Sequence, residues 1–220
     1  KHFINIDFYI KNDLINETIP NWKILSDTIG KDSLIHNGTL PWTILHFYYK
    51  LTKAFQNKDK KQILYYSAFL SHYVSDLTVP LHCRNEYDGL NANQKGIHRL
   101  FETVVPNFNI EEYAFFNLKT EYIPNIKQVI HSTLFDNYHK ADTLFAAYDS
   151  LLSKHKTEAS MFVADKYKNK VQNRFNDDVL IDFYLMTNKM TQRQIHKAIF
   201  LTSSLWYSAW IDAGQPNLDF

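Results

Sequence analysis

Two histidine–carboxylate pairs in the first half of the chain constrain its fold more than any other feature. His72 and Asp76 are four residues apart, and so are His98 and Glu102. Residues i and i+4 lie one turn apart on the same helix face, so the spacing predicts two helices that each present one pair. A single pair of this kind is common on ordinary helices. Two pairs with His82 between them exceed what packing requires and favour a metal site, for which imidazole and carboxylate together indicate zinc.

The composition favours one folded domain over residues 1–220. The chain is 45% hydrophobic and 15% aromatic, which suffices for a sizeable core and argues against disorder. Only 5 glycines and 6 prolines are present, too few for an all-β fold built on many tight turns. Together with the helical spacing of its apolar residues, this scarcity predicts an all-α fold.

Apolar residues recur at helical spacing along most of the chain. Thr39 and Asp59 are candidate N-caps, and Pro80 marks the end of a helix. Residues 1–10 fit a short strand or an extended lead-in. The expected helices run from Leu40 to about Asn57, from Lys60 to about Val79, from Ala92 to before Pro106, from Pro124 to about Lys154, and from Asp177 to Ala213.

The charge and the cysteine content limit the classes of partner. The formal net charge is +1, so no strong global field attracts nucleic acid or acidic membranes. A basic cluster at residues 166–174 is expected to be the solvated face of a helix rather than a nucleic-acid site. Cys83 is the only cysteine, so no internal disulfide can form. No apolar run approaches the roughly 20 residues of a membrane span.

Five other histidines are expected to be structural or surface residues. His46 lies beside the apolar stripe of its predicted helix and is interpreted as a packing or surface residue. The others lack partners at ligand spacing, and they are His131, His139, His155 and His196.

Several motifs resemble the zinc-dependent phospholipase C family, which is related to the single-strand-specific fungal zinc nucleases. The metal-binding motifs of that family are similar to H-Y-V-S-D, P-L-H and G-I-H-R-L-F-E in this chain. The bacterial branch of the family is further similar in G-T-L-P-W, in the opening H-F-I-N-I-D and in W-Y-S-A-W-I-D-A-G-Q-P near the end. The resemblance covers the chain from Lys1 to about Leu218.

The resemblance implies an all-α multi-helix bundle that holds up to three zinc ions. It implies that Asp76 bridges two of these ions and that Glu102 indicates the phospholipase side of the family, since the nucleases tend to carry Asp there. The implied ligands are His2, His72 and Asp76 at one zinc, and His82, His98 and Glu102 at another.

The chain departs from the family at its start. The family's mature chain begins with a tryptophan that binds zinc through its amino group and carbonyl, followed by a histidine and an aspartate that serve as further ligands. None of the three has a counterpart here, because the chain opens at Lys1. We therefore expect an N-terminal part to precede this sequence, and fewer zinc ions without it.

The resemblance implies a zinc phosphodiesterase in which Asp76 and Glu102 act at the catalytic centre as metal ligands. The implied substrate is a phosphodiester such as a phospholipid, with nucleic acid less favoured, and the implied location is secreted or in the cell envelope. Asn85 and Tyr87 are loop candidates for substrate contact. Two alternatives stay open: a zinc nuclease of the related class, and a metal-binding helical domain whose catalytic set is incomplete.

Overall fold

The computed structural model describes residues 1–114, 119–155, 158–167 and 170–219. Its regular structure is almost entirely helical, which confirms the all-α prediction. The helices are α1 (Ile6–Lys11), α2 (Trp22–Ile29), α3 (Lys31–His36), α4 (Leu40–Gln56), α5 (Lys60–Leu77), α6 (Ile97–Arg99), α7 (Val105–Asn109), α8 (Ile126–His155), α9 (Asp177–Met186) and α10 (Met190–Asp212). Among the described residues, none of these helices has both the length and the apolar character to cross a membrane.

The chain falls into two compact units. The first consists of Lys1–Asn85, Phe115–His139 and Gln194–Phe220, and the second of Glu86–Ala114 and Lys140–Arg193. The expectation of one domain over residues 1–220 stays a prediction.

The helices α4 and α5 form an antiparallel pair in the first unit, with the bounds that the sequence predicts. Pro41 lies in the first turn of α4, where its missing N–H costs nothing. The side chain of Asp59 accepts a hydrogen bond from the backbone N–H of Gln62 at 3.0 Å and so caps α5. The two helices bury apolar stripes against each other, including Tyr48 and Leu51 of α4 and Leu70, Val74 and Leu77 of α5.

We expect Asp59→Ala to lower the free energy of unfolding by about 1 kcal/mol, because an N–H at the start of α5 loses its acceptor. Thermal denaturation should show a Tm about 3 °C lower. Asp59→Ser is the matched control, since serine is an equally good N-cap. An unchanged Tm in Asp59→Ala would mean that the cap contributes nothing to stability.

The prediction of one helix from Asp177 to Ala213 is wrong. The structure has α9 and α10 instead, separated by a turn in which Asn188 and Lys189 adopt φ values of 49° and 55°. Two successive residues in the left-handed region cannot belong to an α-helix. The turn is closed by a hydrogen bond from the Lys189 N–H to the carbonyl of Tyr184, at 2.8 Å.

The described residues of the basic cluster, 166–167 and 170–174, lie on two paired strands, so the assignment of these residues to a helix face is wrong. Residues 168 and 169 of the cluster lie outside the described residues. The strands β1 (Phe162–Tyr167) and β2 (Lys170–Phe175) pair antiparallel. At the open end of the hairpin, Phe162 faces Phe175 with ring centroids 4.5 Å apart. Aromatic cross-strand pairs of this kind stabilise hairpins.

The predicted helix end before Pro106 is also wrong. A π-helical segment, Leu100–Val104, follows α6 and leads directly into α7. Pro106 lies in the first turn of α7, where a proline needs no N–H donor. A helical path therefore continues past a residue that usually ends one.

Candidate metal centre

The first five residues have no regular secondary structure and attach to two other parts of the first unit. The prediction of a strand or an extended lead-in over residues 1–10 is wrong for its second half, because residues from Ile6 onward form α1. The N–H of Ile4 donates to the carbonyl of His82 at 2.9 Å. The N–H of Asn5 donates to the carbonyl of Asn37 at 2.8 Å. These bonds place His2 beside α5, although the two are far apart in sequence.

Gly38 makes this attachment possible. Its φ of 88° lies in the left-handed region, and a β-carbon there would overlap the carbonyl oxygen of Phe3 and lie 2.8 Å from the Cα of Ile4. Only glycine combines that backbone angle with so close an approach. The carbonyl of Gly38 also accepts a hydrogen bond from the buried Tyr9 hydroxyl at 2.9 Å, which fixes the turn from the other side.

Three predicted ligands, His2, His72 and Asp76, come together at the surface of the first unit. The distance from His2 Nδ1 to Asp76 Oδ2 is 2.9 Å, and that from His72 Nε2 to His2 Nδ1 is 3.0 Å. His72 Nε2 lies 3.6 Å from the same carboxylate oxygen. The three side chains could hold one metal ion, since their ligand atoms lie within 4.8 Å of one another.

Protons alone serve this arrangement poorly. If His2 Nδ1 carries a proton, that single N–H faces Asp76 Oδ2 and His72 Nε2 together, so it is shared between two acceptors or opposes a second N–H on His72. If it is unprotonated, its lone pair faces the ionised carboxylate oxygen at 2.9 Å. A cation removes the conflict because all three atoms then direct lone pairs at it. Ligand atoms around a tetrahedral zinc lie roughly 3.3 Å apart, close to the three distances found here.

The second oxygen of Asp76 faces a third histidine. His82 Nδ1 lies 3.5 Å from Asp76 Oδ1. His82 is buried on the short 3₁₀ turn Pro80–Cys83, which follows α5 after two residues. The carboxylate thus contacts two imidazoles through one oxygen and a third imidazole through the other. The carboxylate therefore lies between two sets of imidazoles, His2 and His72 on one side and His82 on the other.

The predicted pair His98 and Glu102 also forms, in the second unit. His98 Nε2 lies 2.5 Å from Glu102 Oε2, one turn away across the junction of α6 and the π-helical segment. Asp88 supports the start of α6 by accepting from the N–H groups of Gly96 and His98 at 3.0 and 3.3 Å. The ring of Tyr87 packs edge-on against that of His98, with centroids 5.6 Å apart.

The predicted zinc set of His82, His98 and Glu102 takes its members from both compact units. It stays a prediction, and so does the substrate role of Asn85 and Tyr87. The set of His2, His72 and Asp76 belongs wholly to the first unit.

Two buried amides hold the end of α5, and the sequence patterns missed them. Asn137 donates to the carbonyl of Leu77 at 2.5 Å, and Gln194 donates to that of Thr78 at 2.5 Å. Gln194 also donates to the Asn137 side-chain oxygen at 2.6 Å. Both side chains are almost fully buried. They satisfy carbonyls that a helix end leaves without partners and so fix the backbone just after Asp76.

A second support holds the backbone beside His82. The hydroxyl of Tyr138 donates to Asp7 Oδ1 at 2.6 Å, and Arg84 Nε lies 3.5 Å from Asp7 Oδ2. The Arg84 guanidinium stacks on the Tyr138 ring at 4.6 Å from its centroid.

The neighbouring Cys83 is buried, and burial raises the pKa of its thiol to about 12. The thiol is therefore protonated at neutral pH and no nucleophile.

Other histidines have structural partners, as predicted. His131 Nε2 lies 2.8 Å from the carbonyl oxygen of Asn16, and His155 Nε2 lies 3.1 Å from Asp182 Oδ2. His139 is exposed. Neither His131 nor His155 belongs to a group of candidate metal ligands among the described residues.

The chain was compared with protein-family models, curated proteins and solved structures. The resemblance to the zinc-dependent phospholipase C family has only the motifs above as its support and stays a prediction. No family model, no curated protein and no solved structure matches the chain.

Proposed function

We propose that this chain is a zinc-dependent phosphodiester hydrolase. One observation carries the proposal: His2 and His72 converge on one oxygen of Asp76 while His82 faces the other. Two imidazoles and a carboxylate form a ligand set that zinc prefers, and three protein ligands leave a fourth position for water or substrate. Hydrolytic zinc sites keep such an open position, whereas structural zinc sites are closed.

The exposure of the ligands favours a reactive site over a structural one. The side chains of His2 and His72 are 56% and 53% exposed, but that of Asp76 is only 11% exposed. The carboxylate thus lies at the base of the cluster, and the histidine side opens to solvent. A substrate can approach from the histidine side without any rearrangement of α5.

Each residue has a defined task in this proposal. His2 and His72 would hold the metal through their ring nitrogens, and Asp76 would supply the negative charge that retains a divalent cation. His82 orients the carboxylate through its second oxygen, as outer partners of metal ligands commonly do. Zinc, when bound, lowers the pKa of a coordinated water towards 7 and offsets the negative charge of a phosphodiester. As a metal ligand, Asp76 would not itself act as the general acid.

We expect His72→Ala to lower zinc affinity and the rate of phosphodiester hydrolysis together, each by about 100-fold, because even indirect metal contacts are worth 10- to 100-fold. Bound zinc is measured by elemental analysis, and hydrolysis with bis(p-nitrophenyl) phosphate after reconstitution with Zn²⁺. His36→Ala, an exposed histidine outside the cluster, is the matched control. Full zinc content without hydrolysis of any phosphodiester would favour a non-catalytic metal-binding domain.

The substrate is tested on the same reconstituted protein. We expect phosphatidylcholine to be hydrolysed faster than single-stranded DNA, since the net charge of +1 provides little attraction for a polyanion. Faster hydrolysis of the DNA would contradict the phospholipase-like assignment and favour a zinc nuclease. Absence of bound zinc after reconstitution would contradict the whole proposal.

A further inference from the structure

A cavity of about 840 Å³ lies in the first unit, and none of His72, Asp76 and His82 lines it. Residues of α2, α3, α4 and the first turn of α8 form its walls. We call it the tryptophan cavity after Trp22 and Trp42, which line it. Its volume falls in the range of sites that bind small molecules, roughly 300–1,000 Å³.

The apolar wall of the tryptophan cavity is preformed. The rings of Trp22 and Trp42 pack edge to face with centroids 5.6 Å apart. Trp42 is 8% exposed, and its indole N–H donates to the carbonyl of Pro20 at 2.9 Å. Leu45 and Phe47 extend the apolar lining. The wall therefore offers a fixed hydrocarbon and aromatic surface, and the polar atom of Trp42 is already used.

The charged part of the lining has one sign. Lys1, Lys31 and Lys127 line the tryptophan cavity, and no aspartate or glutamate is among the described residues that line it. In the part of the chain that the structure describes, no carboxylate is paired with Lys31 or Lys127 in a salt bridge. The net charge of the whole chain is only +1, so this concentration of cations is local to the cavity.

A histidine of the lining senses nearby lysine charges. His46 lines the tryptophan cavity, and partial desolvation together with the charges of Lys50 and Lys1 lowers its pKa. A bound anion would oppose the two lysine charges and raise that pKa again. The titration of His46 is therefore a readout of what the cavity contains.

We propose that the tryptophan cavity binds an amphipathic anion, a molecule with one aliphatic or aromatic body and one phosphate or carboxylate group. The body packs on the wall of Trp22 and Trp42. The anionic group meets the ammonium groups of Lys31 and Lys127. An uncharged apolar ligand would leave these ammonium groups without an anionic partner. A small inorganic anion would leave the aromatic wall exposed to water. The proposal needs no metal and goes beyond the hydrolase assignment.

The test is a titration of the full chain with decyl phosphate below its critical micelle concentration, with the heat of binding measured by isothermal titration calorimetry. We expect saturable binding with one site per chain. The double variant Lys31→Ala, Lys127→Ala should weaken it by about tenfold or more, the loss expected when a charge-assisted hydrogen bond is removed. Lys23→Ala, Lys53→Ala is the matched control, because it removes the same charge from exposed lysines outside the lining.

Three further arms separate the sources of affinity. Decanoate should bind like decyl phosphate, while inorganic phosphate and decyl maltoside should bind at least about tenfold more weakly. NMR should show a higher pKa of His46 in the decyl phosphate complex. Equal binding of decyl maltoside, equal binding of inorganic phosphate, or unchanged affinity in the double lysine variant would each overturn the proposal. The affinity for decyl phosphate should be unchanged after zinc is removed with a chelator. This result would show that binding in the tryptophan cavity does not depend on the metal centre of the proposed hydrolase.

Discussion

Gly38→Ala is expected to lower the free energy of unfolding by about 3 kcal/mol and to reduce zinc binding in the same step. A non-glycine residue at a φ of 88° costs roughly 1–2 kcal/mol by itself. The added β-carbon must also displace the backbone at Phe3 and Ile4, which breaks the attachment of the segment that carries His2. Thermal denaturation of the metal-free protein should show a Tm about 10 °C lower, and elemental analysis should show less zinc.

The matched control is Gly214→Ala. Gly214 has nearly the same φ, 86°, but nothing lies within 4 Å of a β-carbon built there. It should therefore suffer the strain without the overlap, with about half the loss of stability and full zinc content. Equal zinc content in the two variants would show that the attachment of the first five residues does not hold His2 in place.

Asp76→Asn is expected to abolish the metal centre while the fold persists. Asparagine keeps the shape of the side chain but replaces an ionised oxygen with an NH₂ group, which cannot ligate a cation. Because the two oxygens of Asp76 face three histidines, the change removes the one negative charge that these imidazoles share. We expect zinc affinity and phosphodiester hydrolysis to fall by about 1,000-fold, more than the loss of one outer partner. Zinc affinity is measured by isothermal titration calorimetry, and hydrolysis is measured with bis(p-nitrophenyl) phosphate.

Asp212→Asn provides the comparison. Its carboxylate also accepts two hydrogen bonds, from Tyr48 at 2.6 Å and from Tyr122 at 3.0 Å, but it lies outside the cluster. That variant should lose stability and keep its zinc. If Asp76→Asn retains one zinc per chain with unchanged affinity, His2, His72 and Asp76 are not the ligands.

The bounds of α4 and α5 were predictable because their signals are local. A proline in the first turn, a capping aspartate and an apolar stripe lie within the segments themselves. The break between α9 and α10 gave no such signal, since neither glycine nor proline occupies the turn at Asn188 and Lys189. The β-hairpin was missed because its strands alternate polar and apolar residues only loosely.

The candidate site was only partly predictable for the same reason. The pairing of His72 with Asp76 follows from helical spacing. The approach of His2 across 74 positions of the chain does not, and only the family resemblance suggested it. The supports Asn137 and Gln194 were hidden within apolar helix stripes. A polar residue in such a stripe, where burial demands a partner, was the signal that could have found them.

The hydrogen bond between the Ile4 N–H and the His82 carbonyl has a kinetic consequence. It ties the first five residues to the turn that carries His82, so the two cannot separate without breaking this bond. Lifting of this segment would carry His2 away from a bound metal ion and leave His72 and Asp76 to hold it. A local opening of the backbone is then a route of metal loss, and where that route dominates, chelators at increasing concentration would reach a limiting rate of metal removal.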